Sequence, residues 1–477
     1  MSDSSSVTSL LVELRGELER YPAGGKLPSS RELVHRHRVS PVTVSRAIAA
    51  LTAEGLVIAR PGAGVFRAPP RRAPASAGDV SWQEVALSAG ADARTIDAVG
   101  VLACCTDPPP EVIDLNGGYP HPVLQPERAL AAALAHAGRR PGAWTRPPLH
   151  GLPELRTWFA RDIAGPGGTL TAEHVLITSG GQSALTTALR ALAVPGAPVL
   201  VESPTYPGLL AIARASGLRP VPVPVDADGV RPGLLADAFR DTGARVFVCQ
   251  PTFQNPTGAV LSAARRLDVL RIAREAGAFV VEDDFARLLA HPGSPAPPPP
   301  LAAADPDGVV VHIRSLTKPT SPSLRISALT ARGPALERLR GLHTVESFFV
   351  PRPLQETALE LVSAPAWPRH LRTLTTALRD RRDATIAALR EHLPGLPAPD
   401  VPHGGYHLWL PLPDGADEAS LVSAALHGGV AITPGKLYFA AEPPGPHLRL
   451  SYVSAGTVGE VAEGVRRLAR ACPVSWR

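Results

Sequence analysis

Lysine is almost missing from this chain: Lys26, Lys318 and Lys436 stand against 45 arginines. A sequence that writes arginine for ordinary cations keeps a lysine where an amine is required, because a guanidinium cannot lose its proton to form a Schiff base. Cysteine is scarce too. Cys104, Cys105, Cys249 and Cys472 show neither CxxC spacing nor histidines at zinc-finger distances, so no disulfide framework and no metal are expected. No apolar run is long enough to cross a bilayer, and the opening MSDSSSVTSL lacks the basic-then-apolar layout of a secretion signal. A cytoplasmic location without membrane contact is expected. Internal repeats are also lacking.

What is present argues for at least two domains. The 477 residues exceed what one hydrophobic core organises, and 44% hydrophobic content is ordinary for a folded chain. The formal charge of +5 is unevenly placed. Residues 1–72 hold 11 basic and 6 acidic side chains, which leaves 37 of each sign in the remainder. A basic excess confined to one small segment fits a polyanionic partner and fits equally a solvated basic face.

From Lys26 the chain reads KLPSSRELVHRHRVSPVTVSRAIAALTAEGLVIARPGAGVFRAP. Ser29 and Glu32 form a capping box that starts a helix through about His37. Ser40 is the N-cap of a second helix with Pro41 at its first position, and Val44, Ile48 and Leu51 recur at helical spacing until Gly55. That stripe faces inward and leaves Thr43, Arg46 and Ala50 outside. Leu56–Arg60 and Gly64–Ala68 then flank Pro61-Gly62-Ala63 as a two-stranded wing.

The helix-turn-helix-wing order, with LPSSREL, SPVTVSRAIAALTAEGLV and RPGAGVF, resembles the GntR family of DNA-binding domains over roughly residues 7–68. The resemblance implies that double-stranded DNA is met by Arg31, by Ser40, Thr43, Ser45 and Arg46 of the second helix, and by the wing glycines Gly62 and Gly64. Pro41 stands where that family often has arginine, which shifts the base-contacting role toward Arg46.

Residues 69 to about 110 are rich in Ala, Pro, Arg and Gly and read as a linker with one short helix near Trp82–Leu87. Beyond it, strand-like runs at 174–178, 199–202, 246–250, 279–282, 309–314 and 326–330 alternate with helical stretches. That pattern indicates a mostly parallel sheet covered by helices. Ligands gather at the C-terminal strand ends of such sheets. There the chain carries Ser179-Gly180-Gly181-Gln182, which opens a helix and offers free N–H groups to a phosphate. It also carries Tyr206 in ESPTYPG, Asn255 in NPTG, Asp283 in VEDDF, where a carboxylate needs a cation, and Ser315-Leu316-Thr317-Lys318. After about Trp367 come a long helix (370–392), a strand (405–410), a helix (418–427), a strand carrying Arg449 and a last helix (458–471).

In this order the set resembles the aminotransferase domain of fold type I pyridoxal-phosphate enzymes, and with the GntR-like start the chain is similar to the MocR subfamily of regulators. The fold implied is α/β: an N-terminal winged helix-turn-helix (1–68), a linker (69–110), a large cofactor domain (111–364) and a smaller C-terminal α+β subdomain (365–477). The resemblance implies that Lys318 forms a Schiff base with pyridoxal 5'-phosphate, Asp283 pairs with the pyridine nitrogen, Asn255 bonds the phenolic oxygen and Tyr206 stacks on the ring. Gly180, Gly181, Gln182, Ser315, Thr317 and Arg325 would hold the phosphate, and Arg449 an effector carboxylate. A domain-swapped homodimer and a small effector, either the cofactor or an amino compound, are implied as well.

Three departures bear on catalysis. Phe285 replaces a tyrosine that would bond the phenolic oxygen, Trp144 stands for the aromatic of a Gly-Asp-Pro turn that is missing, and HPGSPAPPPPLAAADPDG is unlike a catalytic loop. Cofactor binding survives these changes better than efficient transamination does. A regulator that senses its cofactor is therefore the leading expectation, with an aminotransferase carrying an accessory DNA module as the second. Turnover separates the two.

Overall fold

The computed structural model describes residues 3–60, 62–69, 79–88 and 96–476. Pro61 at the expected wing tip, and residues 70–78 and 89–95 of the expected linker, lie outside the described residues. The chain divides into two compact units, Met1–Ala93 and Arg94–Arg477.

The core of the first unit is built from three helices and a wing. Ser29 caps the helix Ser30–His37: its hydroxyl accepts from Glu32 N at 3.3 Å, while Glu32 accepts from Ser29 N at 2.7 Å. Ser40 caps Pro41–Ala53 by accepting from Thr43 N at 3.1 Å, without a reciprocal bond. Antiparallel strands Val57–Arg60 and Gly64–Arg67 form the wing, with Ile58 opposite Phe66. An additional helix, Asp3–Leu18, was not foreseen. Its signal is Leu10, Leu14 and Leu18 at a spacing of four, and these pack with Leu33, Val44, Ala47 and Leu51 into one core. Thr43 corrects the outward-face expectation. It is 3% exposed, and its hydroxyl lies 2.8 Å from Ser40 Oγ, so it closes the cap of its own helix.

The expected short helix is present at Trp82–Ser88. A second one, Val99–Cys105, was hidden in the Ala-rich composition of the expected linker and belongs to the second unit. A Cβ on its Gly100 would stand 3.1 Å from Pro207, so glycine permits this close approach.

The second unit is built on eight strands in the order Val175–Thr178, Ser327–Thr330, Val310–Ser315, Phe279–Asp284, Val246–Cys249, Pro198–Ser203, Arg219–Asp226, Gly229–Val230. The central pairs are parallel, whereas Ser327–Thr330 is antiparallel to both neighbours. Alternate residues feed opposite cores: Leu200, Phe247 and Val280 join one, Val201, Val248 and Val281 the other. Period-two burial on both faces is what a helix-covered sheet requires.

Arg219–Asp226 was missed as a strand because it carries Pro220, Pro222 and Pro224. Prolines two apart turn their donor-less nitrogens to a single side, and this strand sits beside the two-residue edge strand, where few donors are needed.

The C-terminal subdomain packs the helices Trp367–His392, Glu418–His427 and Val458–Ala471 around a sheet ordered His407–Pro411, His447–Ser451, Thr433–Pro434. Ile113–Asp114, expected in the large domain, pairs with Val430–Ala431 and thus ties the start of this unit to its end. Among the described residues no helix is long and apolar enough to cross a membrane.

Candidate functional site

Gly181, Gln182, Tyr206, Asn255, Asp283, Ser315, Thr317, Lys318, Arg325 and Arg449 line one cavity of about 280 Å³. Gly180 adjoins it: at φ 88°, a Cβ there would fall 2.6 Å from Arg325 Nη2. One side of the cavity is formed by the N-terminus of the helix Gly181–Leu192, two residues after the strand Val175–Thr178. Free N–H groups and the helix dipole make that end receptive to an anion. Arg325, at φ 50°, donates to Ser179 O at 3.2 Å, and Ser315 Oγ accepts from Thr317 N at 3.2 Å. Thr317 Oγ1 is buried without a partner.

Asp283, also lining the cavity, is the penultimate residue of the strand Phe279–Asp284. Burial pushes its carboxyl up to about 6, partly offset by the hydrogen bond from Gln250 Nε2 at 2.7 Å. The Gln250 oxygen accepts the Asn255 N–H at 3.1 Å, so one amide holds two of the predicted residues. Asn255 Oδ1 is buried without a partner. Behind them Glu202, pushed up to about 7 by burial, accepts from Gln250 N at 2.9 Å. Tyr206 donates to Gln182 Oε1 at 3.2 Å.

Lys318 lines the cavity and is partly exposed. Its Nζ donates to Gly118 O at 2.8 Å and lies 3.9 Å from the Tyr119 ring centre. Burial pushes the amine down to about 8, against the opposing pull of Cys105 and Asp283. Arg449 enters from the small sheet, buried to 2%, with Nη2 bonded to Asn116 O and to Thr433 Oγ1.

The sequence reading missed Gln250, Tyr119, Tyr406, His407, Cys104 and Cys105, all of which line the same cavity. Tyr406 Oη donates to Gly118 O at 2.9 Å, and its ring stands edge-on to Phe285 at 6.4 Å. The motif GGYHLWL held the only signal, polar rings inside an otherwise apolar strand.

Two other features do not share residues with this cavity. A groove of about 880 Å³ includes Pro222, Asp226, Trp409 and His447 but none of the predicted residues, and its size alone does not make it chemical. Glu282, Asp284 and His312 present ligand atoms within 4.8 Å of one another. Guanidinium groups already serve two of them: Arg287 and Arg314 bond Asp284 at 2.6 and 3.0 Å, and Arg266 approaches Glu282 at 3.8 Å. Burial would raise Asp284, yet Arg314 and Arg287 hold it at about 2, so the cluster reads as a buried charge network.

On the first unit, Arg31, Ser40, Ser45, Arg46, Gly62 and Gly64 are exposed and Thr43 is not. The structure adds Lys26, exposed beside the wing, where a Cβ on Gly64 would stand 2.8 Å from its Cε.

Residues 110–468 match the family model for aminotransferase class I and II, and residues 14–66 that for bacterial regulatory proteins of the gntR family. The chain is 27% identical to the uncharacterized HTH-type transcriptional regulator YisV of Bacillus subtilis, over 95% of this chain and 94% of that protein. It is 32% identical to 2-aminoadipate transaminase of Thermus thermophilus, over 82% of this chain and 97% of that one. Among solved structures, LysN, the alpha-aminoadipate aminotransferase of Thermus thermophilus complexed with N-(5'-phosphopyridoxyl)-L-leucine, superimposes with a TM-score of 0.75. The identity is 31%, with 82% of this chain and 98% of that one covered.

Proposed function

Because the chain belongs to the aminotransferase class I and II family and carries a gntR-family reader ahead of it, as MocR-type regulators do, we propose a division of labour between its two units. The first binds duplex DNA. The second holds pyridoxal 5'-phosphate through the Lys318 amine and makes DNA binding answer to the cofactor or to an amino compound.

The observation that carries this reading is the convergence of Lys318, Asp283 and Asn255 on one small cavity with a helix N-terminus at its end. The cavity also fits the group by what it leaves unmade. Asn255 Oδ1 and Thr317 Oγ1 are buried without partners, and a Cβ on Gly181 would meet nothing closer than Ser315 Cβ at 3.9 Å. Orphaned polar atoms are rare in native interiors unless a ligand or water completes them.

Bound there, the cofactor would supply an aldehyde that condenses with amines and a ring that withdraws electrons. Lys318 would provide the neutral amine, and its lowered proton affinity makes that form accessible near neutrality. Asp283 would hold a proton on the ring nitrogen, since a facing cation restores the ionised carboxylate. Tyr206 would cover the ring, Ser315, Thr317 and Arg325 would bind phosphate oxygens, and Arg449 would take a carboxylate. We further propose a homodimer, supported by Trp144, Val345 and Phe348, which are 83, 81 and 66% exposed.

The similarity to 2-aminoadipate transaminase favours a second reading, amino-group transfer on an α-amino acid. Against it stands Phe285, which has no hydroxyl to tune the ring oxygen. Little or no steady-state turnover is expected, and turnover typical of aminotransferases would install the second reading. The primary test is borohydride reduction of cofactor-treated protein followed by peptide mass mapping. The adduct should fall on Lys318; an adduct on Lys26 or Lys436, or none at saturation, overturns the proposal.

A further inference from the structure

His407 lines the cleft but has no role in the cofactor reading. It is 3% exposed, and both of its ring nitrogens are buried without a hydrogen-bond partner. Burial first, then the neighbouring Arg449 and Lys318, hold its titration well below the usual range, so the ring is neutral. A neutral imidazole offers one donor and one acceptor, and leaving both unmade in a buried place is costly.

The strand register fixes the face on which His407 lies. His407 lies opposite Ser451, and Trp409 opposite Arg449, on antiparallel strands. Alternate residues share a face, so His407 and Arg449 are diagonal neighbours on one side of the small sheet, within reach of long side chains. Both line the cavity that holds Lys318. The Tyr406 ring packs edge-on at 4.2 Å and fixes the imidazole from the other side. Arg449 Nε is likewise buried and unpartnered. The far end of the cleft is thus a cation beside a neutral ring, both short of partners.

We propose that His407 selects the side chain of an α-amino acid bound in this cleft. The amine lies toward Lys318, the carboxylate on Arg449, and a hydroxyl, carboxamide or carboxylate of the side chain hydrogen-bonds the imidazole. The inference rests on the cofactor reading above and adds to it the class of effector. An alkyl side chain of the same shape leaves the imidazole unpaired, and a site built around a hydrogen bond penalises the analogue that lacks it.

The test uses full-length protein loaded with pyridoxal 5'-phosphate and titrated with two near-isosteric pairs, threonine with valine and asparagine with leucine. The change in visible absorption reports binding. Wild type should bind the polar member of each pair about tenfold more tightly, the scale of one buried hydrogen bond left unmade. His407→Phe should lose that preference, with His407→Leu as its replacement should the larger ring not fold, and His407→Gln should retain it. Equal binding within both pairs, an unchanged preference in the apolar variants, or no response to any of the four amino acids overturns the inference. Absence of a visible band when the cofactor is added to wild type overturns the cofactor reading instead, so the two failures are distinct.

Discussion

Gln250 donates to Asp283 at 2.7 Å while its oxygen accepts the Asn255 backbone N–H at 3.1 Å, so a single amide positions the residues assigned to the pyridine nitrogen and to the phenolic oxygen. Replacing it by Gln250→Leu keeps the volume roughly but leaves Asp283 buried without that donor. A hydrogen bond to a buried carboxylate contributes about 1.5–3 kcal/mol. Cofactor affinity should fall at least tenfold, measured by titrating the visible absorption, and the apoprotein should melt at a lower temperature because both hydrogen bonds are already formed without cofactor. An unaltered affinity would show that Asp283 needs no such support.

Burial places the Lys318 amine near 8. Roughly one amine in ten is then neutral at pH 7, against fewer than about one in a thousand for an ordinary lysine. The neutral form is the nucleophile, so the rate of covalent cofactor attachment should climb as pH rises through about 8 and level off above it. Stopped-flow absorption across pH 6 to 10 reads this directly. A rate still climbing through pH 10 would mean that the amine is not perturbed.

Thr43 and Arg46 should separate stability from recognition in the DNA reader. Thr43→Ala removes a hydroxyl bonded to the Ser40 cap and should destabilise the first unit by about 1 kcal/mol while leaving operator preference intact. Arg31→Ala with Arg46→Ala should weaken binding to a selected operator and flatten its salt dependence, since each neutralised phosphate releases counterions. Thermal melts and fluorescence anisotropy at several salt concentrations measure the two effects. Unchanged affinity in the double variant contradicts the assigned face.

Much of this architecture was legible because local and global signals agreed. The helices Glu418–His427 and Val458–Ala471 fall on the expected residues, and Ser29 and Ser40 cap the helices that they announce. The residues closing the strands were legible for a topological reason: in a sheet of parallel strands the loop at each C-terminal end faces the same crevice. What escaped depends on contacts distant in sequence. Tyr406 reaches Gly118 across 288 positions, and the two nitrogens of His407 stand out only once their surroundings are seen to be closed. Thr43 was misplaced because the face of a short helix was assigned from spacing alone, whereas its N-terminal cap turned the hydroxyl inward. The strand Arg219–Asp226 was concealed by prolines that a sheet edge tolerates.

The central claim is that the state of the cofactor cleft is felt at the DNA. A ligand shifts a conformational equilibrium only by its difference in affinity for the two states, so the effect must vanish when the cleft cannot hold the ligand. The decisive measurement is a DNA-binding titration of wild type and Lys318→Ala, each with and without pyridoxal 5'-phosphate, at one fixed salt concentration and then across candidate amines. The account predicts that cofactor or amine changes operator affinity or DNA bending in wild type and leaves both unaltered in Lys318→Ala. Identical affinity and bending under all four conditions, and with every amine, would contradict it and leave the large domain as a dimerisation scaffold.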